Sequence, residues 1–219
     1  MNKELNIKEI YSTLQGEGPS TGRPATFVRL AGCSLRCHYC DSEYAFEGGE
    51  IKNFSTLIAD IQQHGNELVV VTGGEPLDQE SLPDFLIQLI SHNFEVELET
   101  AGHKDLSVVP SGVRVLLDIK TPGSGMSQHF KKENLALLDE NDILKFVITH
   151  REDFDWSAKY LNQLSAPLKA TVWFSPCSST DSHVGLEPAQ LAEWILTKKL
   201  PVRLQLQQHK IIWDNEISR

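Results

Sequence analysis

Three of the chain's four cysteines fall within the eight-residue stretch CSLRCHYC, as Cys33, Cys37 and Cys40. Thiolates are soft ligands and nucleophiles, so such a run offers several kinds of chemistry. A structural zinc site takes four protein ligands, usually as two short-spaced pairs. Here no second pair follows, and Cys177 stands alone far downstream. A redox dithiol would use only Cys37 and Cys40 and leave Cys33 without a task. A ferredoxin-type cluster takes four cysteines, one more than this loop holds. The remaining arrangement is a 4Fe–4S cluster on three thiolates, whose fourth iron keeps a coordination position open for chemistry.

Other residues add to this signal. In TGGEP, at 72–76, Gly73 and Gly74 lack a Cβ, so the backbone can come close to a ligand. Glu75 reads as a brace for that loop rather than a proton carrier. Arg29 stands inside the apolar run FVRLAG, where a buried guanidinium needs an anionic partner. Glu97 and Glu99 share one face of their run by parity, and two inward carboxylates are costly unless ligands or partners pair them. Glu99 is expected to make polar contacts near a cofactor; Glu97 has no evident role. Cys177 reads as a plain buried thiol.

These residues need a scaffold. Seven apolar runs rich in β-branched residues lie at 25–32, 68–74, 94–102, 113–120, 143–150, 170–176 and 202–208. They alternate with helix candidates at 54–65, 81–93, 129–139, 154–164 and 187–199. Ser81, Gly65 and Pro188 supply helix start and stop signals. Strands alternating with helices imply parallel βαβ units, in a partial α/β barrel or an open doubly wound sheet, between which periodicity does not choose. With no repeat or low-complexity linker, residues 1–219 read as a single domain. Polar or special residues gather after nearly every run: the cysteine loop, TGGEP, ETAG, DIKTP, THR, SPC and QHK. Active sites of parallel α/β folds lie at the carboxyl ends of their strands, so these segments form a candidate catalytic rim.

A formal net charge of -10, with scattered carboxylates, argues against a general nucleic-acid binder. No run approaches the length of a membrane span, and MNKELNIKEI has no apolar leader core. The expectation is a cytoplasmic protein with no membrane partner, where clustered cysteines favour metal or catalytic chemistry over disulfides.

Cys-x3-Cys-x2-Cys is the pattern of the radical S-adenosylmethionine (SAM) superfamily, and CSLRCHYC resembles it in detail. Tyr39 occupies the aromatic place before the third cysteine, and TGGEP resembles the superfamily's glycine-rich motif. The resemblance implies an α/β fold, a partial (incomplete) radical-SAM β/α barrel with parallel strands. It implies a 4Fe–4S cluster on Cys33, Cys37 and Cys40, with SAM on its open iron.

Within that superfamily, YSTLQGEGPSTGRPATFVRLAGCSLRCHYCDS resembles the 7-carboxy-7-deazaguanine synthase family. The likeness continues through TGGEP, ETAG, the lysine after the fourth strand and QHK, so it spans essentially the whole chain. It implies conversion of 6-carboxy-5,6,7,8-tetrahydropterin to 7-carboxy-7-deazaguanine with loss of ammonia, in queuosine biosynthesis, a tRNA modification pathway. It implies a homodimer that takes electrons from a donor such as flavodoxin or ferredoxin.

Carried over by position, the resemblance places Leu14, Gln15 and Gly16 along the pterin, Arg29 on its carboxylate and Thr72 against it. Tyr39, Cys40 and Asp41 would neighbour SAM's adenine, and Gly74 its methionine group. Asp118, Ile119 and Lys120 would lie against SAM; where relatives often have Ser-Pro-Lys this chain reads Asp-Ile-Lys, so Lys120 is the firm match. Ser42 stands where the family usually has the threonine that binds Mg2+, and it keeps the oxygen ligand a hard cation prefers. Asp41 would help by charge or cap the loop. His209 and Lys210 follow the last run, and WDNEISR extends beyond the point where relatives commonly end. Two other readings of the cysteine loop are a glycyl-radical-enzyme activase and a non-catalytic iron–sulfur protein.

Overall fold

The computed structural model describes residues 3–164, 166–179, 183–214, 216 and 218. Asn215, Ile217 and Arg219 of the terminal WDNEISR lie outside the described residues. The strands are β1 (Glu4–Leu14), β2 (Pro24–Leu30), β3 (Glu50–Asn53), β4 (Leu68–Gly73), β5 (Glu95–Thr100), β6 (Val113–Ile119), β7 (Ile143–Ile148), β8 (Thr171–Pro176) and β9 (Arg203–Leu204). The α-helices are α1 (Phe54–His64), α2 (Leu82–Ser91), α3 (Arg151–Asn162), α4 (Pro188–Lys198) and α5 (Gln208–Trp213).

All nine strands join one sheet in the order β3-β1-β2-β4-β5-β6-β7-β8-β9. From β2 to β9 every neighbouring pair is parallel. This is the expected incomplete barrel of parallel strands. It carries an antiparallel addition, β1 and β3, that the sequence reading missed.

Alternation along the strands separates two environments. Val69, Val71 and Leu98 turn to a core with α1 and α2. Val115, Leu117, Ile119, Leu144, Phe146 and Phe174 turn to a second core with α3 and α4. Their neighbours Thr72, Glu99, Asp118, Lys145 and Ser175 face the concave side. A period of two thus puts grease under the helices and polar groups in the hollow.

Local chemistry explains most helix boundaries. Asn53 caps α1 by accepting from Thr56 N at 2.9 Å, and Gly65 ends it at φ 71°. Ser81 precedes α2 without a side-chain cap, while Pro188 opens α4. Helix α3 begins at Arg151, three residues before the expected start, because His150 caps it and Glu152 and Asp153 sit in its first turn.

The helix expected at 129–139 is instead two short 3-10 segments, Ser127–His129 and Lys132–Leu137. Buried Asn134 is the cause: it accepts from Leu106 N at 3.1 Å and donates to the carbonyls of Gly102 and Lys104 at 2.9 and 2.7 Å. Those bonds anchor the segment to the loop after β5 and compete with helical pairing. The run 202–208 forms only two strand residues, because Gln205 turns inward and starts the approach to α5. Among the described residues, no helix is long and apolar enough to cross a membrane.

Candidate active site

The concave face opens into a cavity of about 230 Å³ at the carboxyl ends of the parallel strands. The cysteine loop after β2 forms one wall. Leu35 and Tyr39 are buried and anchor the loop, while the three thiols stay partly exposed and free of disulfides on the cavity surface. Burial pushes all three thiols above their ordinary range, Cys40 to about 11.

The loop after β4 packs directly on the cysteine loop. A Cβ on Gly74 would stand 2.1 Å from the Gly32 carbonyl oxygen and 2.7 Å from Cys33 Cβ. Gly73, at φ 155°, would clash with the Leu30 backbone at 2.4 Å. The close approach that these glycines permit is therefore first to the chain itself. Glu75, fully buried, accepts from Leu77 N, Thr100 Oγ1 and Ala101 N at 3.1, 2.7 and 2.9 Å. It braces TGGEP against β5, as expected. A Gly74→Ala protein is expected to lose about 1–3 kcal/mol and to incorporate less iron; unchanged melting with full iron content would refute the contact.

Polar side chains form the floor. Lys145 donates to Glu17 Oε2 at 2.6 Å and lies 3.4 Å from Asp118, whose same oxygen is 3.1 Å from Lys120 Nζ. Gln205 and Gln207 donate to Glu17 at 2.9 and 2.8 Å. Burial pushes the Glu17 carboxyl up, yet Lys145 and the Gln207 hydrogen bond hold it down at about 2. Burial disfavours charge on Lys145 and Lys120 too, and the adjacent carboxylates override it, holding both well above the ordinary lysine range.

Glu97 and Glu99 both point inward, and partners meet the cost. Glu97 accepts from Gln15, Ser20 and Arg114 at 2.8, 2.6 and 2.8 Å. Glu99 accepts from Thr72 at 2.9 Å, and its acidity is weakened first by burial and then by Glu17.

Helix α5 closes one side. Gln208 N donates to the Gly16 carbonyl at 3.0 Å, and a Cβ on Gly16 would strike the His209 ring at 2.0 Å. Lys210 reaches the cysteine loop and donates to Asp41 at 2.7 Å, while Ser42 donates to the other Asp41 oxygen at 2.9 Å. Desolvation by the cavity wall raises the Asp41 carboxyl, although its side chain keeps 43% exposure, but Lys210 dominates and keeps it well below the usual range.

The radical SAM superfamily model matches residues 28–135. The chain is 41% identical over 222 residues to a 7-carboxy-7-deazaguanine synthase from Koribacter versatilis, covering 97% of this chain and 98% of that one. The chain belongs to the 7-carboxy-7-deazaguanine synthase family. A Chlorobaculum tepidum member is 38% identical over 96% of this chain and 94% of its own. The crystal structure of QueE from Escherichia coli superposes with TM-score 0.75 at 25% identity, covering 94% and 95% of the two chains. SuiB from Streptococcus suis, at 13% identity and TM-score 0.54, shares the fold alone.

Members of this family are radical SAM lyases, and the superfamily implies a 4Fe–4S cluster with SAM. The donors fit that group: three soft thiols, free of disulfides, line one cavity beside a glycine-floored loop. Among the described residues no three His, Cys, Asp or Glu side chains gather tightly enough for a single ion. A cluster spreads its thiolates over separate irons and does not require such convergence.

Of the residues singled out from the sequence, Leu14, Gln15, Arg29, Tyr39, Asp41, Ser42, Thr72, Gly74, Asp118 and Lys120 line the cavity with the three thiols. Gly16 sits behind it, under His209. Ile119 departs from the expectation: its side chain is fully buried in the outer core, because strand alternation puts Asp118 and Lys120 on the opposite face. Only its backbone is left to meet a ligand. Cys177 is buried and its thiol is pushed up to about 12 by that burial, yet it also lines the cavity.

The sequence reading gave no role to Glu17 and did not notice Lys145, Tyr11 or Gln207. Lys145 carried a usable signal, a cation inside the apolar run ILKFVITH, which is the argument that marked Arg29.

Proposed function

We propose that the chain converts 6-carboxy-5,6,7,8-tetrahydropterin to 7-carboxy-7-deazaguanine with loss of ammonia, serving queuosine and related 7-deazapurine biosynthesis. The observation that carries this reading is 41% identity to a 7-carboxy-7-deazaguanine synthase over nearly the full length of both chains, in a chain whose cysteine loop and Arg29 open on one cavity. When bound, the cluster and SAM supply a carbon radical able to take hydrogen from the substrate.

The chain's own residues bind, orient and shield. Cys33, Cys37 and Cys40 hold the cluster. Tyr39 offers its ring to adenine, Gly74 its backbone to SAM's amino group, and Lys120 with Asp118 and the Ile119 backbone complete that side. Leu14, Gln15, Gly16 and Thr72 bound the pterin. Arg29 offers a planar fork to the substrate carboxylate. Residues 1–219 act as one catalytic unit, since the terminal helix α5 supplies His209 and Lys210 to the same cavity. The protein works as a cytoplasmic homodimer and receives electrons from a small carrier such as flavodoxin or ferredoxin.

Mg2+ is the finer part of this reading. Lys210 already engages Asp41, so the ion would rest on Ser42 and on substrate oxygens. Replacing Ser42 with alanine is expected to raise the Mg2+ concentration for half-maximal activity roughly tenfold or more; an unchanged Mg2+ titration would remove Ser42 from the metal site.

The decisive assay is anaerobic reconstitution, then incubation with SAM, dithionite, Mg2+ and the carboxypterin, with products resolved by mass. SAM cleavage without the deazaguanine would refute the substrate and leave the superfamily assignment intact.

A further inference from the structure

The register between β1 and β2 slips between Ile7 and Glu9, so that Ile7 faces Leu30 while Glu9 faces Arg29. This irregularity re-aims the strand. Leu5 and Ile7 lie in the core under the helices, whereas Tyr11 and Thr13, of the same parity, line the cavity. Such bulges re-aim side chains near active sites. Here the slip brings Glu9 beside Arg29, the one arginine of the cavity wall among the described residues.

Glu9 is fully engaged. Its Oε1 accepts from Arg29 Nε and from the Tyr44 hydroxyl, both at 2.7 Å, and its Oε2 accepts from Ser218 Oγ at 2.6 Å. Arg29 Nη2 donates to the Tyr11 hydroxyl at 3.0 Å, and the Tyr44 ring lies 5.8 Å from the guanidinium carbon. Among the described residues nothing accepts from Nη1. Arg29 and Tyr11 are on the cavity wall and Glu9 is not, so the carboxylate grips the guanidinium from behind. Both side chains are well buried, at 13% and 18% exposure, where charges are weakly screened.

We propose that Glu9 is a positioning residue that aims the Nη1 edge of Arg29 into the cavity and, by its charge, limits how tightly that edge holds a substrate carboxylate. The inference rests on the assignment of Arg29 to the carboxylate. Two effects of Glu9 then oppose each other. Its hydrogen bond fixes the fork in a productive orientation, which strengthens binding. Its negative charge shares one guanidinium with the incoming carboxylate, and like charges repel. Changing charge and geometry separately moves affinity in opposite directions.

The test uses the full-length, cluster-reconstituted protein. Carboxypterin affinity is measured with SAM but without reductant, and KM and kcat with it. Glu9→Gln keeps an acceptor for Arg29 Nε and Tyr44 while removing the charge. It is expected to tighten carboxypterin binding roughly three- to tenfold, with kcat nearly unchanged. Glu9→Ala frees the guanidinium and is expected to weaken binding roughly tenfold. Neither change should alter affinity for the same pterin lacking the carboxylate. Looser or unchanged carboxypterin binding in Glu9→Gln overturns the inference, as does an equal effect on the decarboxylated pterin. Arg29→Lys separates the two layers. If it leaves carboxypterin binding intact, the Arg29 assignment falls and this inference with it. If it weakens binding while Glu9→Gln changes nothing, only the role of Glu9 is lost.

Discussion

A Cys37→Ala protein is expected to fold normally, to lose its iron–sulfur chromophore and to show no turnover. The two halves of this result have separate causes. Folding is spared because the loop is held by Leu35 and Tyr39, at 4% and 8% exposure, and by the His38 amide bonded to the Ser124 carbonyl at 3.0 Å. The thiol itself lies on the cavity wall, without a disulfide. Its removal leaves no unpaired core group, so the metal-free protein should stay within about 0.5 kcal/mol of wild type. Turnover is lost because Cys33 and Cys40 alone leave a second iron without its thiolate. Iron and sulfide content, the visible spectrum and a melt of the metal-free protein check both halves. A variant with full iron content would overturn the three-thiolate site. A strongly destabilised metal-free variant would show that the thiol is part of the fold.

Replacing Lys145 with methionine is expected to destabilise the protein by about 3–5 kcal/mol, because it strands a buried carboxylate. Glu17 is 8% exposed and depends on Lys145 for its charge partner, with Gln205 and Gln207 supplying neutral donors. For a chain of this size the loss corresponds to a fall in Tm on the order of 10 °C. Its pH dependence follows from the same pair. The Glu17 carboxyl titrates near 2 in the fold against an ordinary value of 4.5. Its lowered pKa therefore contributes stability that is complete above 4.5 and fades as pH falls toward 2. Wild type should lose stability across that window, and the Lys145→Met protein should lose less. Adding Glu17→Gln should recover most of the loss at neutral pH, since the stranded charge is then gone. Equal melting of wild type and Lys145→Met would contradict the pair's structural weight.

The candidate site was legible to the extent that its chemistry is local. Three thiols at fixed spacing, two glycines before Glu75 and an arginine in an apolar run each announce a requirement that neighbouring residues do not meet. The parallel strands were legible as well, since β4 and β6 to β8 are apolar runs separated by helical patterns. Strand β1 was not, because ELNIKEIYSTL mixes polar and apolar residues at an irregular period. The register slip between Ile7 and Glu9 explains that irregularity, and no local rule places it. The α-helix expected at 129–139 failed for a similar reason, as Asn134 is claimed by carbonyls about 30 positions away in sequence.

By itself, then, the sequence determined the cysteine spacing, the parallel scaffold and the family, because each is written in adjacent or regularly spaced residues. Only the tertiary structure decided what partners the charged groups in and around the cavity. Glu17 meets Lys145 from 128 positions away, Asp41 meets Lys210 from 169 positions away, and Glu9 meets Arg29 across two strands. A buried charge must find a counter-charge, and its own stretch of sequence does not say which one; that depends on strand order, register and the return of the terminal helix to the cysteine loop.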